Sequence, residues 1–147
     1  MSKMGVQPYI SFNGNCDEAI NFYKDALGGE ILYIQRYADS PMKGMGPDEG
    51  IMHCTLRFGE TELMACDNPK HDDFPLHVGN NISLSYSSND PTGAESIFAK
   101  MAEGGKITMP MAETFWAERF GMLTDKFGIN WMFNCDKPES DQAQATS

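Results

Sequence analysis

The chain has 147 residues, of which 41% are hydrophobic, and its 21 acidic and 11 basic side chains give a formal net charge of −10. This length and composition are typical of one globular domain or two small fused repeats. No apolar run approaches the ~20 residues needed to span a bilayer, and an acidic surface repels phosphate backbones. We therefore expect neither a membrane nor a nucleic-acid partner.

The amino-terminal residues MSKMGVQPYISF lack the long apolar core of a secretory signal peptide. We therefore expect a cytoplasmic protein whose cysteines are reduced and mostly buried. No pair of them has the C-x-x-C spacing, which disfavours a zinc ribbon or a thioredoxin-like site. The four cysteines are Cys16, Cys54, Cys66 and Cys135.

The first half of the chain begins with strand and helix signals. A helix is predicted between Asn15, a candidate N-cap, and the stop signal Gly28-Gly29. Residues 38–50 are rich in Gly and Pro, which predicts a loop that is either a lid or a mobile connection. The predicted elements are a strand at 6–12, a helix at 16–27, and strands at 30–37, 51–58 and 61–66.

The second half follows a polar connection at 67–77. Pro91 suits the first position of a helix that stops at Gly104-Gly105. The tail 136–147 is polar and is predicted to be disordered. The predicted elements are a strand at 80–87, a helix at 91–103, and strands at 106–112, 119–124 and 129–135.

The two halves of the sequence share matching residues in the same order. Gly28-Gly29 corresponds to Gly104-Gly105, Phe58-Gly59 to Phe127-Gly128, and Cys66-Asp67 to Cys135-Asp136. Each half also predicts the same order: strand, helix, strand, strand, strand. We therefore predict a single domain at 6–135 made of two repeats, at about 6–67 and 80–135.

Three segments resemble the PhnB-like branch of the vicinal oxygen chelate superfamily, which includes glyoxalases, bleomycin resistance proteins and dioxygenases. They are PYISFNGNCDEAINFY at 8–23, ETFWAERFG at 113–121 and TDKFGINWMFN at 124–134. The resemblance implies an α+β fold of two tandem βαβββ modules. Their strands would form a curled mixed sheet around a U-shaped cavity with the helices outside. It also implies a homodimer.

Metal-dependent members of this superfamily hold their metal on the first and last strands of each module. The matching positions here fall at Pro8 or Tyr9, at Leu63, at Asn81 or Ser83, and at Met132. Leu, Pro and Met are poor ligands for a divalent metal of the glyoxalase type, so we expect no metal. Some relatives are labelled as ubiquinone-pathway methyltransferases. Since no Gly-rich strand–turn–helix that would cradle S-adenosylmethionine is visible, we expect no cofactor.

Two residues are candidates for acid–base catalysis. His53 lies in the middle of a predicted strand and would act as a base or orient a ligand, or else be an ordinary hydrogen-bonded strand histidine. Glu113 precedes aromatic residues that would remove it from water and raise its pKa, or else it is a solvated charge at a strand end. Cys54 cannot assist His53 directly, because adjacent strand residues point to opposite faces. His71 and His77 lie in the polar connection, and their spacing does not support a metal cluster with His53.

Aromatic and hydroxyl side chains are the candidate ligand contacts. An aromatic wall would suit an apolar or planar ligand, although core packing is the alternative, favoured for Trp131. The five candidates are Tyr9, Thr55, Trp116, Phe120 and Trp131.

Three functions follow from these residues. The first is a protein that binds an unidentified small molecule, with a sequestration or resistance-like role. The second is a lyase, isomerase or dioxygenase of glyoxalase ancestry, with an altered or absent metal site, that uses His53 and Glu113. The third is an interaction protein whose cavity is filled by Met and aromatic side chains.

Overall fold

The computed structural model describes residues 4–69 and 75–137, and it divides the chain into two compact units, Met1–His77 and Val78–Ser147. Each unit holds one helix and one four-stranded mixed sheet. The first unit contains β1 (Tyr9–Phe12), α1 (Cys16–Leu27), β2 (Glu30–Arg36), a 3-10 turn (Tyr37–Asp39), β3 (Ile51–Phe58) and β4 (Thr61–Asp67). The second contains β5 (Ser83–Ser88), α2 (Pro91–Met101), β6 (Lys106–Ala112), β7 (Ala117–Thr124) and β8 (Asn130–Asp136).

The first sheet has the strand order β1-β4-β3-β2, and the second has the equivalent order β5-β8-β7-β6. In each sheet the first strand runs parallel to its neighbour, and the other pairs are antiparallel. The parallel pair requires a crossover, and in each unit the helix lies within that crossover. The predicted α+β fold of two βαβββ modules is therefore confirmed.

Each helix covers one face of its own sheet with apolar side chains. In the first unit Ile20 and Tyr23 of α1 are buried, together with Leu56 and Leu63 of the sheet. In the second unit the ring of Phe98 on α2 lies edge-on to Phe133 of β8, with 5.3 Å between centroids. Each unit thus has a hydrophobic core between its helix and one face of its sheet.

The amino-terminal end of α1 is held by a residue from the far end of its unit. Asn15 occupies the predicted N-cap position but makes no side-chain cap hydrogen bond. Instead, Oδ1 of the buried Asp67 accepts hydrogen bonds from the N–H groups of Gly14 and Cys16, both at 2.9 Å. Oδ2 accepts from the N–H of Ile51 at 2.8 Å. A single carboxylate therefore joins α1, β3 and β4.

The two glycine pairs have a second role besides ending the helices. Gly28 and Gly104 both have the left-handed φ that glycine adopts most easily, 70° and 74°. The second glycine of each pair packs against the neighbouring hairpin. A Cβ on Gly29 would lie 2.9 Å from the Arg57 carbonyl oxygen, and a Cβ on Gly105 would meet the Thr124 carbonyl oxygen. The predicted stops are therefore also close-packing positions.

The residue-by-residue correspondence between the two halves shifts after the hairpin turn of each sheet. The turn between β3 and β4 contains residues 59–60, whereas residues 125–129 separate β7 from β8. The longer second turn changes which residues of the final strand face the helix. Cys66 lies on the sheet face away from α1, beside Ser11, whereas Cys135 is buried on the helix-facing side. The prediction that these cysteines occupy matching positions is therefore wrong.

Several predicted boundaries differ by a few residues from the observed ones. Strand β1 is shorter than the predicted 6–12, and β7 begins before the predicted 119. β6 continues through Pro110, but its register with β7 shifts between Met109 and Ala112, so Pro110 disturbs the pairing without ending the strand. A missing N–H is tolerated because β6 pairs with a single neighbour in its sheet. His71 and the predicted disordered residues 138–147 lie outside the described residues. Within the described ranges, no helix is long and apolar enough to cross a membrane.

Candidate ligand-binding site

The first sheet has one apolar and one polar face. Strand β3 alternates between them: Cys54 and Leu56 are fully buried on the side of α1, whereas His53 and Thr55 lie on the opposite side and are partly exposed. This alternation agrees with the predicted separation of His53 from Cys54. Polar side chains on a sheet face that no helix of this unit covers are available for other contacts.

His53 is hydrogen-bonded through both ring nitrogens. The Tyr9 hydroxyl lies 3.1 Å from Nδ1, and the Thr55 hydroxyl lies 3.4 Å from Nε2. Tyr9 reaches His53 across the intervening strand β4, where Met64 pairs with Tyr9 on one side and with Thr55 on the other. Three of the predicted site residues, Tyr9, His53 and Thr55, are thus brought together in the first unit.

Four further side chains extend this arrangement, and the sequence did not identify them as site residues. The Tyr33 ring lies 5.9 Å from the His53 ring, and its hydroxyl donates to Oε1 of Gln35 at 2.6 Å. A bulge in β2 near Leu32 obscures the alternation that would have assigned Tyr33 to this face. We call the whole set the Tyr9 cluster: Tyr9, Ser11, Tyr33, Gln35, His53, Thr55 and Cys66.

The surroundings of Tyr9 in this cluster raise the pKa of its phenol. Partial burial raises the pKa of Tyr9 well above its ordinary value, because the phenolate is less well solvated there than in water. The nearby Cys66 thiol, when ionised, raises the same pKa further by repulsion between two negative charges. Tyr9 therefore remains a neutral hydroxyl at physiological pH, able both to donate and to accept a hydrogen bond.

Trp116 and Phe120 meet in the second unit. Their rings lie 5.3 Å apart at 66°, and the Trp116 indole N–H donates to Oδ1 of Asn134 at 3.1 Å. Phe115 lies edge-on to Trp116 with 4.8 Å between ring centroids. Trp116 remains 38% exposed and Phe115 is more exposed still. This set, which we call the Trp116 platform, is an exposed aromatic surface with one amide beside it: Phe115, Trp116, Phe120 and Asn134.

Glu113 does not have the environment that its predicted acid–base role requires. Its side chain is 66% exposed and forms an ion pair with Nζ of Lys137 at 3.2 Å. Neither the adjacent Phe115 nor Trp116 removes it from water. The expectation of a desolvated carboxylate at this position is therefore corrected, because an exposed ion pair is strongly screened by solvent.

Trp131 lies in the core of the second unit. It is 2% exposed, and its indole N–H donates to Oδ2 of Asp125 at 2.9 Å. Oδ1 of the same carboxylate accepts from the N–H groups of Phe127 and Ile129. This packing favours the alternative considered for Trp131, a core residue that orders the turn between β7 and β8.

The described residues contain no group of three or more His, Cys, Asp or Glu side chains that could hold a metal ion. The position matched to a metal ligand in the last strand of the first module also needs correction. Leu63 is fully buried on the helix-facing side, whereas Met64 lies on the face of the Tyr9 cluster. In the second module Met132 pairs with Ser85. Neither Met64 nor Met132 is a usual ligand for a divalent metal.

The order of elements and the paired modules agree with a comparison with known families. The model of the Glyoxalase/Bleomycin resistance protein/Dioxygenase superfamily matches residues 5–133. The chain belongs to this superfamily. This match confirms the resemblance that was inferred from residues 8–23, 113–121 and 124–134.

Relatives of this glyoxalase superfamily chain match it over nearly its whole length. Protein YjdN from Escherichia coli strain K12 is 33% identical over 150 residues, covering 95% of this chain and 100% of YjdN. The crystal structure of protein PA1353 from Pseudomonas aeruginosa is 40% identical, with a TM-score of 0.82, and covers 92% of this chain and 100% of that one. The structure of a PhnB protein from Bacillus cereus is 26% identical, with a TM-score of 0.74, and covers 89% and 98%.

Proposed function

We propose that this protein binds a small molecule on the sheet face that carries the Tyr9 cluster. The observation that supports this most directly is the pair Tyr9–His53, whose hydroxyl and imidazole meet at 3.1 Å while Tyr9 remains 49% exposed. Members of the superfamily bind small molecules. A partly exposed set of phenol, imidazole, hydroxyl and amide groups is the kind of polar arrangement that orients a ligand.

The chemistry of the cluster favours a planar ligand with a hydrogen-bonding group. The rings of Tyr9 and Tyr33 lie 5.6 and 5.9 Å from that of His53, so two phenol rings lie close to the imidazole. Aromatic faces of this kind stabilise planar ligands by stacking, and the Tyr9 hydroxyl supplies a donor and an acceptor. The net charge of −10 disfavours a polyanion.

The binding test begins with the whole protein. The purified chain is incubated with a cell extract of small molecules, and native mass spectrometry identifies any compound that remains bound. A His53→Gln variant is expected to lose the compound, because glutamine replaces the imidazole that Tyr9 and Thr55 contact. The matched control is His77→Gln, which changes an exposed histidine elsewhere in the chain.

Equal retention by the wild type, His53→Gln and His77→Gln would place the binding site elsewhere and overturn the proposal. So would the absence of any bound compound in the wild type. If a compound is bound and is converted on incubation, and conversion is lost only in His53→Gln, the protein is an enzyme in which His53 participates. That outcome would select the glyoxalase-like enzyme over the binding protein.

A further inference from the structure

Two fully buried thiols face each other in the core of the first unit, on the side of the sheet away from the Tyr9 cluster. Sγ of Cys16 lies 3.8 Å from Sγ of Cys54, and both residues are 0% exposed. Cys16 is the first residue of α1, and Cys54 lies in the middle of β3. The contact therefore joins the helix to the sheet across 38 positions of the chain.

The distance between the sulfurs permits a bond after a small movement. A disulfide has an S–S distance of about 2.05 Å, so the two sulfurs must approach by ~1.8 Å. Cys16 lies at the end of a helix, next to the exposed residues Asn13, Gly14 and Asn15. Local opening of this first turn, which must break the hydrogen bond from the Cys16 N–H to Asp67, gives both the movement and the access that a small oxidant needs.

The two thiols differ in proton affinity. The hydrogen bond with Cys54 and burial both raise the pKa of the Cys16 thiol. The same hydrogen bond lowers the pKa of Cys54, with help from the Ala65 N–H and against the opposing effect of burial. Cys54 is therefore the sulfur that ionises first, and its thiolate is the better nucleophile of the pair.

We propose that Cys16 and Cys54 are a redox pair that hydrogen peroxide oxidises to an intramolecular disulfide. The Cys54 thiolate attacks one peroxide oxygen and breaks the O–O bond; the departing oxygen takes a proton and leaves as water, and Cys54 becomes a sulfenic acid. The Cys16 sulfur then attacks the Cys54 sulfur. The S–O bond breaks, and a second water leaves with the Cys16 thiol proton. The two sulfurs together lose two electrons, which reduce the peroxide.

The disulfide would fasten α1 to β3 at a point already held by Asp67, whose Oδ1 accepts from the Cys16 N–H. Closing a loop of this length restricts the unfolded chain considerably. The oxidised protein is therefore expected to unfold roughly 10 °C above the reduced protein. This inference does not depend on the proposed ligand, because the pair lies in the core.

The decisive variant is the double substitution Cys66→Ser and Cys135→Ser, which leaves Cys16 and Cys54 as the only thiols of the chain. The protein is treated with a small excess of hydrogen peroxide, denatured, alkylated and digested. We expect a peptide cross-linked between Cys16 and Cys54, loss of both titratable thiols in denaturant, and recovery of both with a dithiol reductant. A non-reducing gel should show a monomer, which distinguishes an internal bond from one between chains.

Two outcomes would overturn the proposal. One is recovery of Cys16 and Cys54 as alkylated thiols after peroxide treatment that oxidises Cys66 in the wild type. The other is conversion of either cysteine of the pair to a sulfinic or sulfonic acid without cross-linking. Cys16→Ala and Cys54→Ala should each abolish the cross-linked peptide and the rise in Tm. If either variant fails to fold, the double-substituted protein still decides the question.

Discussion

The hydroxyl of Tyr9 lies 3.1 Å from Nδ1 of His53, although strand β4 separates their strands in the sheet. In β4, Met64 pairs with Tyr9 in the parallel register of β1 and β4. Both residues lie on the face away from α1, so the contact is outside the hydrophobic core between α1 and the sheet. This placement supports the proposed ligand-binding role.

The phenol of Tyr9 is expected to titrate above the ordinary tyrosine value of about 10. Burial and the Cys66 thiolate both disfavour the phenolate, so Cys66→Ser should lower this pKa. The folded state holds the Tyr9 proton more tightly than the unfolded state. Its contribution to the free energy of unfolding is thus fully present below pH ~10 and is lost as pH rises further.

This titration is followed by phenolate absorbance, and subtracting the curve of Tyr9→Phe isolates the contribution of Tyr9. Tyr86→Phe is the matched control, because it removes a phenol from the second unit. An absorbance step for Tyr9 centred at or below pH ~10 would contradict the prediction. A higher pKa of Tyr9 in the Cys66→Ser variant than in the wild type would also contradict it.

Replacing Asp67 by alanine should cost about 3–5 kcal/mol in the free energy of unfolding. The substitution leaves the N–H groups of Gly14, Cys16 and Ile51 without their buried acceptor. Urea denaturation measures the change, and Asp25→Ala on the exposed side of α1 is the control, with an expected change within about 0.5 kcal/mol. Equal effects of the two variants would show that the Asp67 contacts do not stabilise the fold.

The fold was accessible from the sequence because its signals are local. Strict alternation in 51–58 and the glycines after each helix predicted β3, α1 and the stops of both helices at or near their observed positions. The N-terminal tie of α1 was not accessible, because its acceptor is Asp67 of β4, 51 residues from Cys16. Sequence patterns indicate caps from neighbouring residues, and a distant carboxylate leaves no such pattern.

The site was only partly accessible for the same reason. Tyr9, His53 and Thr55 were predicted as separate candidates, and their meeting depends on the parallel register of β1 with β4. Tyr33 was missed because the bulge in β2 shifts its face. Glu113 was assigned a desolvated environment from the aromatic residues beside it in the chain. Residues that are close in sequence do not necessarily surround a side chain in the folded protein. The side chain of Glu113 contacts Lys137 instead.

The second glycine of each pair should be less replaceable than the first. Gly29→Ala and Gly105→Ala each place a Cβ against a backbone carbonyl, which the hairpin can accommodate only by moving. We expect a loss of about 2–3 kcal/mol in the free energy of unfolding. Gly28→Ala meets no atom within 4 Å and should cost only the left-handed φ, about 1 kcal/mol. Denaturant titration giving the reverse order would contradict this account.

The two tryptophans should differ sharply in their accessibility to solvent. Trp131 is buried and bonded to Asp125, whereas Trp116 is 38% exposed on its platform. Trp116→Phe leaves Trp131 as the single tryptophan, and its fluorescence should resist quenching by acrylamide. Trp131→Phe leaves Trp116, whose fluorescence should be quenched readily.

The same pair of variants separates a packing role from a binding role. Trp131→Phe should lower the free energy of unfolding by about 3 kcal/mol, since it opens a void and leaves Oδ2 of Asp125 without the indole donor. Trp116→Phe should lower it by about 1 kcal/mol or less, because it removes only a partly exposed hydrogen bond to Asn134. A ligand on the Trp116 platform would protect Trp116 from acrylamide in Trp131→Phe. The second possible result is that a compound retained through the Tyr9 cluster leaves the quenching of Trp116 unchanged. That result would show that the Trp116 platform does not contact the compound.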